Sequence, residues 1–240
     1  MNQTVKTSGW LEYARLMRLA NVFTAIADPL AGWLVVGGFV AGEPVWTVSA
    51  LMAVSACLYT SGIVFNDCFD YERDLRERPE RPLPRGEIQV NRAWWLAGAL
   101  MAAGIGLSVL AGPVAWGTAA FLAAMIFFYN AWAKQYAGLG PLTLGVCRFA
   151  NFFLGMRALP EKLWIAPVVL GVYVMALTWI ARSEVTRPAL RKVVKQMLLG
   201  IIVLDALLVL WSPLGPPLGA LAVAVLIVPA VLLSQKLAMT

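Results

Sequence analysis

The sequence contains no histidine, and only three cysteines. The missing histidine excludes His-based triads, His-ligated metals and His-ligated haem. Cys57, Cys68 and Cys147 are odd in number and form no C-x-x-C pair, which argues against a disulfide framework or a zinc knuckle. Charge is scarce too: 13% of residues are charged, where a soluble domain carries about 25%. Any chemistry falls to Asp, Glu, Asn, Lys, Arg and Tyr.

What the chain has in abundance is apolar sequence. Sixty per cent of its residues are hydrophobic, in stretches long enough to cross a hydrocarbon layer of ~30 Å. Eight candidate spans fall at about 20–40, 45–65, 93–112, 114–132, 139–156, 163–181, 196–211 and 217–234. Backbone left unpaired in lipid is costly, so the spans are expected to be helices. Prolines 44, 113, 141, 160, 213, 216 and 217 lie near the connections, where they stop helices. The expected fold is therefore all-α: one polytopic membrane domain over residues 1–240, of eight or nine transmembrane helices. The opening residues lack the apolar core and cleavage site of a signal peptide, so the first span is expected to be retained.

The net charge of +6 resides in basic residues that flank the spans. This points to orientation and attraction to the bilayer surface, with no nucleic-acid partner. Basic residues concentrate at the amino terminus, after span two (Arg73, Arg76, Arg78, Arg81, Arg85, Arg92), at Lys134 and between Arg182 and Lys195. The other face offers Arg157 and Lys162. Positive-inside bias puts both termini and the basic loops in the cytoplasm, with the bacterial inner membrane as the expected location.

Acids collect in one run, "NDCFDYERDLRERPERPLPRG", residues 66–86, within the loop expected over 66–92. If span two continues as a helix, side chains advance about 100° per residue. With Asn66 at zero, Asp67 falls at about 100°, Asp70 at about 40° and Asp74 at about 80°, all within roughly a quarter turn. Phe65, Cys68 and Phe69 lie on the other side. A ladder of hard oxygen ligands suits Mg²⁺, which binds one or two carboxylates together with substrate phosphates. The adjacent arginines match phosphate oxygens through their forked donors. The plainer reading of such a run is a solvated charged loop that anchors the span.

"NDCFDYERD" resembles the N-D-x-x-D-x-x-x-D motif of the UbiA superfamily of membrane prenyltransferases, and "RPERPLPRG" resembles the segment that follows it there. "RLMRLANVFTAIADPLAGW" and "YNAWAKQYAGLGPLTLGVCRFANFFLGM" extend the likeness over most of residues 10–160. The resemblance implies a helical bundle around a central cavity that binds an allylic isoprenoid diphosphate through Mg²⁺ and transfers its prenyl group to an acceptor, here unidentified. It implies that Asn66, Asp70 and Asp74, with Asp67 beside them, hold metal and diphosphate. Lys134 and Arg81 would neutralise the leaving diphosphate, and Tyr129 would face the developing allylic cation.

Two features depart from that pattern. The family usually carries a second Asp-rich motif after span six, whereas "TWIARSEVTRPALRK" has Glu184 as its only acid. Glu184 is thus the candidate for a second metal, in the loop expected over 182–195. Eight spans appear where the family commonly has nine, as in the compact branch encoded in ebo-type gene clusters. The alternatives are a membrane terpene cyclase and a non-catalytic isoprenoid-diphosphate binding or transport protein.

Five further polar residues lie inside spans. Asn21 and Asp28 share a face, as do Arg148 and Asn151. An acid in a span costs roughly 2.5–3.5 kcal/mol, so Asp28 needs a partner or a wet cavity. Arg148 can pair with Asp28 or reach the diphosphate, and all four are candidate substrate contacts. Asp205 has either an interhelical partner or a place in the cavity.

Overall fold

The computed structural model describes residues 9–38, 41–183 and 189–237, and every regular element among them is helical. The helices are α1 (Gly9–Leu16), α2 (Leu19–Val35), α3 (Val45–Phe69), α4 (Tyr71–Glu77), α5 (Val90–Ser108), α6 (Pro113–Ala131), α7 (Leu139–Met156), α8 (Ile165–Arg182), α9 (Leu190–Trp211), α10 (Pro217–Val225) and α11 (Ile227–Leu237). Short 3-10 turns follow α5 at Val109–Ala111 and α6 at Ala133–Gln135.

Among the described residues, seven segments are long and apolar enough to cross a bilayer, with α10 and α11 forming one broken span, and α2 is a shorter apolar helix of 17 residues. These make up the eight apolar segments read from the sequence. Large apolar side chains such as Trp95, Trp116, Phe121, Trp179 and Leu218 point outward, as lipid-facing residues do. The protein is an integral membrane protein.

Both charged loops are more helical than expected. α3 runs on to Phe69, and α4 resumes at Tyr71 inside the 66–92 segment. α9 already begins at Leu190, so Arg191, Lys192 and Lys195 ride on its first turns. Long basic side chains can cover a helix end while their charges stay wet, so charge alone does not end a helix.

α2 lies at the centre and packs against α3, α7, α9 and α11. Its contact with α7 depends on two small residues. A Cβ on Gly155 would lie 2.0 Å from the Pro29 carbonyl oxygen, and one on Gly32 would lie 2.2 Å from that of Phe152. Pro29 has no N–H to give to the carbonyl of Ala25, four residues back. That carbonyl instead accepts from Ser55 Oγ of α3 and Asn151 Nδ2 of α7, each at 2.8 Å. The sequence's one intrahelical break in α2 is thereby converted into two interhelical ties.

At the motif end, α1 and α2 meet at a corner made by Arg18, a non-glycine residue at φ 46°, ψ 51°. At the opposite end, Glu43 accepts from Trp33 Nε1 at 2.7 Å and pairs with Arg157.

Candidate active site

The acidic run keeps its helical register through the α3–α4 junction. Backbone N–H groups of Asp70, Asp74 and Arg78 donate to the carbonyls of Asn66, Asp70 and Asp74. The quarter-turn arc therefore exists, but tertiary partners divide it in two. Asn66 and Asp70 share Lys134, whose Nζ lies 2.7 Å from Asp70 Oδ1 and 3.4 Å from Asn66 Oδ1. Asp67 and Asp74 share Arg81, whose Nη1 lies 3.3 Å from Asp67 Oδ1 and 2.6 Å from Asp74 Oδ2. Arg18 adds a contact to Asp67 at 3.0 Å, and Arg73 one to Asp70 at 2.8 Å. On the back of the helix, Phe65 and Phe69 pack against Trp94 and Phe127, which fixes which side the acids face.

Lys134 sits on the 3-10 turn after α6. Its carbonyl accepts from Arg182 Nη1 at 3.0 Å, which ties that turn to the end of α8. Its ammonium also lies 5.7 Å from the centre of the Phe69 ring.

Below Asn66 lies a cavity of about 280 Å³ walled by α3, α6, α7, α8 and α9. Tyr129, Leu122, Ile126, Leu144, Val174 and Ile201 supply apolar surface, and Arg18 stands at the mouth. Tyr59, Arg148 and Asn151 lie on its wall between Asn66 and Ser55. Eleven residues of α3 separate Asn66 from Ser55, a depth of about 16 Å at ~1.5 Å per residue.

The polar residues deep in the bundle have partners among themselves. Arg148 Nη1 donates to Asp28 Oδ2 and to the Thr24 carbonyl, each at 2.9 Å, and Nη2 donates to Thr24 Oγ1 at 3.1 Å. Asn151 Nδ2 donates to Asp28 Oδ2 at 2.7 Å. Neither oxygen of Asp205 meets an N–H donor, and its neighbour is the carboxyl of Asp28. Arg148 is thus the cation of a buried polar cluster that spans α2, α7 and α9. Arg148 and Asn151 line the cavity. Asp28, expected among the substrate contacts, is fully buried behind them and does not line it. Asn21 likewise lies off this cavity, in a second one beside it.

The donor set fits Mg²⁺ bound together with phosphate oxygens rather than a cage made by the protein alone. All the candidate ligands are hard oxygens, and buried Asp74 Oδ1 has no hydrogen-bond partner. Among the described residues no group of three acids converges tightly enough to hold a metal. Arg18 and Arg81 both engage Asp67, the acid expected beside Asn66, Asp70 and Asp74. Glu184, the candidate for a second metal, lies outside the described residues.

Sequence reasoning missed Arg18 and Tyr59 as cavity residues. Arg18 occupies a left-handed corner that favours glycine or asparagine, so nothing local marks it. Tyr59 sits in the middle of an apolar span, and only its position one helical stretch below Asn66 could have pointed to it.

Outside the spans, Glu87 meets Glu12 of α1. Burial pushes the Glu87 carboxyl above its ordinary value of 4.5, contact with Glu12 adds to the rise, and Arg85 and Arg15 oppose it. The folded state therefore holds this proton more tightly than the unfolded one. The stabilisation is fully present below 4.5 and is lost as pH rises through the raised folded value. We expect thermal unfolding in detergent to show a fall in Tm across that window, and Glu87→Gln to flatten it. An unchanged slope in the variant would assign the dependence to another group.

The sequence profile of the UbiA prenyltransferase family matches residues 20–238. A digeranylgeranylglyceryl phosphate synthase of Saccharolobus solfataricus is 31% identical over 169 residues, 70% of this chain and 59% of that protein. The synthase of that name from Sulfurisphaera tokodaii is 30% identical over 153 residues, 64% of this chain and 54% of its own. The match thus spans between half and three-fifths of the length of these relatives. Among solved structures, one of digeranylgeranylglyceryl phosphate synthase superposes with a TM-score of 0.66 at 20% identity, over 96% of this chain and 89% of that chain. A UbiA homologue from Archaeoglobus fulgidus bound to DMAPP and Mg²⁺ superposes with a TM-score of 0.64 at 14% identity, over 94% and 86%. At those identities the structures show a shared fold.

Proposed function

Because the chain belongs to the UbiA prenyltransferase family, we propose that it transfers the prenyl group of an allylic isoprenoid diphosphate to an acceptor held in the membrane. One observation carries the reading. Asn66 lines an apolar cavity together with Tyr129, Lys134 ties Asn66 to Asp70 one helical turn on, and Asp74 with Arg81 continues the same arc of the helix. Diphosphate would sit at that arc, and the prenyl chain would lie below.

Mg²⁺ fits at Asn66, Asp70 and Asp74, where it would supply a Lewis acid for the phosphate oxygens. The cations of the chain do the remaining electrostatic work. Lys134 and Arg81 are already held in place by Asp70 and Asp74, so their charges need little reorganisation as negative charge gathers on the departing diphosphate. The face of Tyr129 would stabilise positive charge on the allylic fragment. The apolar walls from α6 and α8 would keep water away from it. Positive-inside bias favours a cytoplasmic mouth, in a bacterial inner membrane by the sequence-level expectation, although the relatives named above are archaeal. Their name points to a phosphoglycerol lipid as the class of acceptor.

The test is purified protein given radiolabelled dimethylallyl, geranyl or geranylgeranyl diphosphate, a membrane lipid extract, and Mg²⁺ or EDTA. A labelled lipid product formed only with Mg²⁺ is expected. A product formed without any acceptor would make the protein a cyclase. The loop with a single acid, Glu184, favours a second reading, a binding protein without turnover. Mg²⁺-dependent retention of donor with no product from any acceptor would establish it.

A further inference from the structure

The cavity below Asn66 ends on a knot of three helices. The Ala25 carbonyl, freed by Pro29, accepts from Ser55 Oγ of α3 and Asn151 Nδ2 of α7, each at 2.8 Å. Arg148, one turn before Asn151, donates to the Thr24 carbonyl and to Asp28, each at 2.9 Å. Ser55, Arg148 and Asn151 all line the cavity, so the ties that join α2, α3 and α7 also close its far end. Tyr59 stands above them, with its ring centre 5.6 Å from the Arg148 guanidinium carbon. The prenyl-transfer chemistry above gives this closed end no role.

An apolar tail that reached it could not push through. Moving Arg148 aside would strand Asp28, which is fully buried, and a buried charge that loses its partner is costly. Parting Ser55 and Asn151 from Ala25 would leave a buried carbonyl without its donors. The closed end is therefore rigid, and the length above it is fixed. Tyr59 lies seven residues before Asn66 on α3, about 10 Å at ~1.5 Å per residue. Ser55 lies about 16 Å from Asn66 on the same measure.

An extended chain advances about 3.8 Å for every three bonds. The main chain of a geranyl group then spans roughly 9 Å, and that of a geranylgeranyl group roughly 19 Å. The first ends above the Tyr59 ring, whereas the second overruns Ser55. Volume sets the same limit. A cavity of about 280 Å³ holds about nine water-sized groups at ~30 Å³ each, close to the ten carbons of geranyl and about half the twenty of geranylgeranyl.

We propose that this closed end restricts the donor to a short allylic chain, with geranyl diphosphate the best fit, and that Tyr59 is the side chain that sets the limit. The inference rests on the prenyl-transfer reading and adds the length of the donor to it. It sets this chain apart from the digeranylgeranylglyceryl phosphate synthases, whose name carries the longer group.

The test is calorimetric binding, in detergent with Mg²⁺, of the non-hydrolysable thiolodiphosphates of dimethylallyl, geranyl, farnesyl and geranylgeranyl alcohols. Affinities are taken per free donor, corrected for its partition into detergent. Geranyl is expected to bind at least about tenfold tighter than dimethylallyl, through the apolar area it adds. It is also expected to bind at least about tenfold tighter than geranylgeranyl, which must overfill a packed space. Tyr59→Ala removes the ring and should raise the farnesyl-to-geranyl affinity ratio about tenfold. Tyr59→Phe keeps the ring and should keep the wild-type order of donors. Leu122 lines the cavity from α6, seven residues before Tyr129. Leu122→Phe should therefore narrow the same depth and lower the geranyl-to-dimethylallyl ratio about tenfold. That variant decides the matter where Tyr59→Ala does not fold.

The proposal is overturned if the wild type binds geranylgeranyl as tightly as geranyl, or if Tyr59→Phe changes the order. It is overturned equally if Tyr59→Ala weakens every donor alike, the mark of a purely structural role, or if Leu122→Phe leaves its ratio unchanged. Failure of all four donors to bind the wild type with Mg²⁺ would overturn the prenyl-transfer reading itself.

Discussion

Lys134→Met is expected to lower kcat for prenyl transfer by about two to three orders of magnitude, the usual loss when one preorganised donor to developing negative charge is removed. Lys134 spans the two residues of one half of the acidic ladder, Asp70 at 2.7 Å and Asn66 at 3.4 Å. It is also the one cation there whose backbone is fixed from a second helix, by Arg182 at 3.0 Å. Met keeps the apolar stem over Phe69 while removing the charge. The remaining partner of Asp70, Arg73, is half exposed, and screening by water makes it a poor substitute. Single-turnover kinetics with saturating donor and Mg²⁺ would separate this loss from weaker binding. A rate within a few-fold of wild type would remove Lys134 from the chemistry and leave Arg81 as the cation that neutralises the leaving group.

The second large effect concerns stability. Arg148→Met should destabilise the protein by about 3–5 kcal/mol, the range seen when one partner of a buried ion pair is removed. Asp28 and Asp205 are both fully buried, and Arg148 is the cation that donates to Asp28 at 2.9 Å. Without it, Asp28 is left buried with no cation in contact with it among α2, α7 and α9. Adding Asp28→Leu to Arg148→Met should recover much of the loss, because an emptied polar site packed with apolar groups is often neutral or better. Asp205→Asn should be mild, since an amide can donate to Asp28. Thermal unfolding of the wild type, Arg148→Met, Asp28→Leu and the double variant in one detergent makes a double-mutant cycle. Equal Tm for wild type and Arg148→Met would show that the cluster is wet enough to screen its own charge.

The sequence made the ladder legible because helical arithmetic needs only spacing. Asn66, Asp70 and Asp74 fall on one arc whatever surrounds them. The division of that arc between Lys134 and Arg81 depended on where a 3-10 turn and a loop of arginines dock, and spacing carries no such information. The span count was legible from hydropathy, but the loop boundaries were not, since Arg191, Lys192 and Lys195 extend α9 and do not precede it. Asp28 and Asp205 were each recognisable as acids that needed a partner. That each is the other's partner followed only from the packing of α2 against α9. Pro29 read as a mild anomaly within a span. Its consequence, an acceptor carbonyl offered to Ser55 and Asn151, required both neighbouring helices to be in place.

The brevity of α2 has a consequence for the depth of the polar end of the bundle. Its 17 residues rise about 25 Å at ~1.5 Å per residue, less than the ~30 Å of a typical hydrocarbon core. Because α2 is enclosed by α3, α7, α9 and α11, protein and not lipid makes up the difference. The corner at Arg18 lies at one of its ends, so the polar floor there is set below the level that a full-length span would reach, inside the protein's own footprint.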